Sequence, residues 1–133
     1  MKPIAIYLWL SFFSGMANAQ VLDSLQGLVV AQSGEAQAQT FLQISALLTL
    51  QKPDSALVFA NWAEKGFVET KNTDGLIKAY LQKVEVLNNT RKNKEALSVA
   101  QKALEMAKKQ QNASLLVDVY AKYGSAYYMA NDI

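Results

Sequence analysis

The chain has 133 residues, a formal charge of +2, 51% hydrophobic residues and neither cysteine nor histidine. That length suits one domain, and so small a charge makes no case for nucleic acid or an anionic membrane surface. Disulfides, thiolate or imidazole metal sites and Cys/His nucleophilic chemistry are excluded; carboxylate, Lys, Ser or Tyr chemistry is formally left open.

The N-terminus reads MKPIAIYLWLSFFSGMANAQ. One lysine, a short apolar run from Ile4 to Phe13 and the small-residue triplet Ala17-Asn18-Ala19 predict a secretory signal peptide over 1–19. Cleavage would leave Gln20 first, and the product would be exported, periplasmic or extracellular. The run is well short of the ~20 apolar residues of a spanning helix. No cysteine follows it, which excludes a lipid anchor there.

From Gln20 onward the pattern predicts helix throughout. A first helix carries Val21, Leu22, Leu25, Leu28 and Val29 on one face and ends at Ser33-Gly34. A second, from about Glu35 to Leu50, carries Phe41, Leu42, Ile44, Leu47 and Leu48. Pro53 suits the first position of a third helix, and Asp54 the first-turn acid. That helix carries Ala56, Leu57, Ala60, Ala63 and Phe67. ETKNTDG is expected to be a polar loop. A fourth helix carries Leu76, Ile77, Tyr80, Leu81, Val84 and Leu87. After NNTRKNK a fifth carries Ala96, Leu97, Ala100, Ala103, Leu104 and Ala107, and the last begins near Ala113.

The elements repeat. Shifted by 40 residues, Lys52, Ala56, Leu57, Ala60, Ala63, Asn72, Leu76 and Tyr80 fall on Lys92, Ala96, Leu97, Ala100, Ala103, Asn112, Leu116 and Tyr120. Composition alone would give roughly two or three such identities, and repeats of this length indicate a solenoid of helix pairs. One helix of each pair carries A-x3-A-x2-A, a flat stripe that a neighbouring backbone can approach closely. The other ends in Tyr120-x2-Tyr123-Gly124-x2-Tyr127. A helical glycine costs ~1 kcal/mol relative to alanine, so Gly124 is expected where a partner helix comes near.

These residues resemble the tetratricopeptide repeat (TPR), with its aromatic-x2-L-G-x2-Y first helix and A-x3-F-x2-A second helix. Tyr120, Tyr123, Gly124 and Tyr127 occupy the first-helix slots; Tyr80, Lys83, Val84 and Leu87, and Phe41, Ile44, Ser45 and Leu48, occupy them in earlier repeats. Ala56, Ala60 and Ala63, then Ala96, Ala100 and Ala103, fill the second. Lys83 and Val84 depart from the pattern, alanine replaces the larger apolar residue at 60 and 100, and the terminal proline is missing. The period exceeds the usual 34 and approaches that of HEAT repeats; the alanine triplet and the Y-G-x2-Y element favour the TPR. The expected fold is therefore all-α, a TPR-like solenoid over 35–133 after an N-terminal helix at 20–34. The expected break falls after the first helix of a third repeat: YAKYGSAYYMANDI would be an unfinished repeat, completed by more chain or by another molecule.

The resemblance implies a protein- or peptide-binding scaffold without catalysis or cofactor. Its first helices would line a concave groove, placing Lys78, Leu81, Glu85, Asn88, Asp118, Ser125 and Tyr128 against a partner, with Gln39, Leu42 and Ala121 beside them. An ordinary solvated helix face accounts for any one of these equally simply. Glu85 and Ser125 stand where some family members carry a clamp asparagine for a C-terminal carboxylate, which argues against that specificity. The basic clusters Thr90–Lys94 and Lys108-Lys109 have no interleaved aromatics and suit solvated turns rather than nucleic acid. The resemblance also leaves open the N-terminal sensor region of a longer membrane-bound histidine kinase or transcriptional regulator. An enzyme would need a cleft of paired titratable groups, which the scattered acids do not suggest.

Overall fold

The computed structural model describes residues 18–132. Most of the expected signal peptide lies outside them. Every element is helical, with no strand among the described residues: α1 (18–31), α2 (Gly34–Leu48), α3 (Pro53–Glu69), α4 (Thr73–Asn89), α5 (Asn93–Lys108) and α6 (Ala113–Asn131). From α2 to α6 each helix packs on the next, and α4 also touches both α2 and α6. Leu22, Leu25 and Val29 of α1 pack against the cluster of Ile44, Leu48, Ala56 and Val86.

Local chemistry sets the boundaries. Gly34 opens α2 at φ +61°, a left-handed conformation that favours glycine. Pro53 opens α3. Asn72 caps α4 by accepting from the Gly75 amide at 2.8 Å, and Asn112 caps α6 by accepting from Leu115 at 3.1 Å. The helices α3 and α4 end alike. Lys71 (φ 57°) and Arg91 (φ 60°) turn the chain left-handed. The next amides, of Asn72 and Lys92, donate back to Phe67 and Leu87 at 2.9 and 2.8 Å, a Schellman closure. In both, the hydroxyl of the preceding threonine, Thr70 or Thr90, donates to a carbonyl four residues back.

Two expectations are corrected here. ETKNTDG is not a loop: only Thr70–Asn72 lie between the helices, and Gly75 sits in the first turn of α4. The glycine is needed because a Cβ there would fall inside the van der Waals envelope of the Phe67 ring. The second helix stops at Leu48, leaving Leu50 82% exposed.

Ala56, Ala60, Ala63, Ala96, Ala100 and Ala103 all have zero exposure. Ala56 packs with Ile44 and Leu48 of α2, Ala63 with Ala38, Phe67 and Ala79, Ala96 and Ala100 with Val84 and Leu87 of α4, and Ala103 with Ile77. Gly66 on α3 serves the same close approach, since a Cβ there would stand 2.7 Å from that of Ala38. Around Gly124, by contrast, nothing lies within 4 Å of a Cβ position, so no partner helix approaches it among the described residues.

Candidate functional site

Polar bonds tie the alternate helices α2, α4 and α6 together at corresponding positions. Gln82 donates through Nε2 to Ser45 Oγ at 3.1 Å and Thr49 Oγ1 at 2.9 Å. Both hydroxyls have already spent their protons, on Ala56 O at 2.7 Å and Ser45 O at 2.9 Å. They can only accept from Gln82, which fixes the orientation of its amide. Forty residues on, Lys122 pairs with Glu85, so that 45 and 82 are to one rung what 85 and 122 are to the next.

These rungs border an open groove of about 480 Å³. Leu42, Gln43 and Ala46 line it from α2, Lys78, Leu81, Gln82 and Glu85 from α4, and Asp118 and Lys122 from α6. Leu42, Gln82 and Lys122 share one register at intervals of 40, and Lys78 and Asp118 share another. The floor is apolar, with Leu81 only 9% exposed. The rim is charged. Lys78, Glu85 and Asp118 are exposed, and the Glu85–Lys122 pair is half open to solvent, worth at most about 1 kcal/mol. Lys78 and Asp118 form no salt bridge among the described residues. Gln82 Oε1, with its amide fixed, accepts no hydrogen bond among the described residues either.

Of the seven residues expected to face a partner, the structure brings Lys78, Leu81, Glu85 and Asp118 into one groove and leaves three out. Asn88 is half-buried, with an Oδ1 that has no partner. Ser125 is exposed, and Tyr128, 69% exposed, lies further round α6. Leu42 also lines the groove, whereas Gln39 turns back to Glu35 at 3.2 Å. Gln43, Ala46, Gln82 and Lys122 were not anticipated. The available signal for Lys122 was its charge, opposite to that of Glu85 on a neighbouring helix.

Two further clusters sit apart. Phe41, Phe59 and Trp62 stack at centroid distances of 5.1–6.0 Å beside a shallow crevice. Tyr80 lies against Glu64, which accepts from Lys83 at 2.8 Å. Burial, and then the negative charge and hydrogen bonding of Glu64, push the Tyr80 phenol above its ordinary value. No group of acidic side chains among the described residues is arranged to hold a metal ion, and none of their helices is long and apolar enough to cross a membrane. Comparison with family models, curated proteins and solved structures finds no match for this chain.

Proposed function

We propose that the chain is an exported, TPR-like helical-repeat module that binds an extended protein segment or peptide in the α2–α4–α6 groove, without catalysis of its own. The observation that carries the proposal is the lining of the groove by residues in shared register on three alternate helices, apolar below and charged at the rim. Register-equivalent rungs suit a ligand that is itself periodic, such as an extended backbone, and the free Gln82 carbonyl offers it an acceptor. The repeat assignment draws support from the 40-residue identities and the two corresponding rungs. Export rests on the signal pattern at 1–19.

Peptide-array binding followed by titration calorimetry tests the groove. A peptide found on the array should lose at least tenfold in affinity with Lys78→Glu or Glu85→Lys, about 1.4 kcal/mol. Unchanged affinity in both variants would remove the groove from the proposal. Intact mass of secreted material tests the cleavage of the signal: a chain starting at Gln20 supports it, and one retaining Met1 refutes it.

A further inference from the structure

Two charges in the groove are left unanswered by the fold. Lys78 on α4 and Asp118 on α6 stand in the same register, and both are exposed. Each has an opposite charge on its own helix at the spacing where ion pairs form: Asp74 lies four residues before Lys78, and Lys122 four residues after Asp118. Both of those residues are engaged elsewhere. Asp74 accepts from the Asn112 amide at 3.1 Å, and Lys122 pairs with Glu85. The tie between α4 and α6 at Glu85 and the cap of α6 at Asn112 thus leave one cation and one anion free, on either side of a floor formed by Leu81.

We propose that the occupant of this groove is an extended segment of a partner protein that carries one acidic and one basic side chain, the acid against Lys78 and the base against Asp118. The proposal rests on the reading of the groove as a peptide site and names the chemistry that site selects. A wholly acidic segment would meet Asp118 and Glu85, and a wholly basic one Lys78 and Lys122, so each would exchange an attraction for a repulsion. The spacing follows from the two geometries. Packed helices lie about 8–10 Å apart, and an extended chain advances about 3.3 Å per residue with alternate side chains on one face. An acid and a base two positions apart therefore face the groove together, and the long stem of Lys78 takes up the remaining distance. The next side chain on that face, two positions beyond the acid, falls toward Leu42 of α2 and is apolar. The recognised pattern is apolar-x-acid-x-base, read in either chain direction.

End-capped peptides of the forms Leu-x-Glu-x-Lys, Leu-x-Glu-x-Glu and Leu-x-Lys-x-Lys, with serine at x, provide the test by titration calorimetry into the whole chain. Wild type should bind the dipolar peptide at least tenfold more tightly than either of the others. Lys78→Glu should move the preference to the two-lysine peptide, and Asp118→Lys to the two-glutamate peptide, both at unchanged helical circular dichroism. Each variant thereby gains a ligand, which damage to a helix does not produce. Weaker binding in both variants without that exchange would overturn the dipolar specificity and leave the groove as a binding site. No binding of the dipolar peptide, or a self-association of the chain that Lys78→Glu abolishes, would also overturn it, the latter by placing a second copy in the groove. Affinities of all three peptides unmoved by either substitution would remove the groove as well.

Discussion

Gly75 and Gly124 are both helical glycines, and their surroundings set them apart. At Gly75 the Phe67 ring occupies the space of a Cβ, and Phe67 is itself 2% exposed and cannot swing away. Gly75→Ala should therefore destabilise the fold despite alanine's better propensity: overpacking of about 1–3 kcal/mol outweighs a gain of up to ~1 kcal/mol. Chemical denaturation would measure it, and a stabilised variant would contradict the packing described. Tyr80 gives a second test at this scale. Its folded phenol titrates above the 10.0 of an unhindered tyrosine. Between those two pKa values the folded chain holds more protons than the unfolded one, so stability falls as pH rises through that window and is unaffected by this group below it. Tyr80→Phe should flatten the stability profile above about pH 10 and leave it parallel to wild type at neutral pH; identical profiles would count against the burial of the phenol and its Glu64 contact. The identity of these glycines was plain in the sequence, but what surrounds each was not. TDG has the composition of a turn, and only a ring from the preceding helix makes Gly75 a helical position.

At the scale of the element, helix starts decided by a single residue were legible, whereas the end of α2 and the start of α4 were not. Pro53 and the residues before Ala113 predicted starts that the structure reproduces. The caps also differ in a way that can be measured. Asn72 accepts from Gly75 and donates to Glu35 at 2.7 Å, and Asn112 accepts from Leu115 and donates to Asp74 at 3.1 Å. Removing an asparagine cap typically costs 0.5–2 kcal/mol. Asn72 caps a helix held on both sides, whereas α6 has one face bare. Asn72→Ala should therefore be felt in global unfolding, at about 1–2 kcal/mol, and Asn112→Ala first as faster amide exchange along α6. Equal exchange in the two variants would show α6 to be as firmly held as α4. What single positions could not disclose were the pairs between helices. Gln82 with Ser45 and Lys122 with Glu85 are each separated by 37 residues, a spacing that has meaning only once alternate helices lie side by side.

For the whole molecule, the all-helical class and the succession of helices followed from apolar spacing. The groove was legible in part, since Lys78, Leu81, Glu85 and Asp118 sit on faces that helical periodicity can identify. Asn88, Ser125 and Tyr128 were assigned by the same face argument and fall outside, because the groove spans only the middle of α4 and part of α6. Its open rim implies a salt-sensitive ligand. A peptide that binds there should lose affinity from 50 to 500 mM salt in wild type, and less so in Lys78→Ala. A slope unchanged by that substitution would separate Lys78 from the ligand.

The six buried alanines carry a mechanical consequence. An alanine side chain has no rotamers, so at these six positions α3 and α5 themselves gain no side-chain freedom when loosened and surrender none when packed. At those positions a signal cannot pass by the flipping of one side chain after another. Strain imposed at the groove would reach the far side of α3 or α5 through them only as a shift or tilt of an entire rod, which makes the stripe a bearing surface rather than a set of gears.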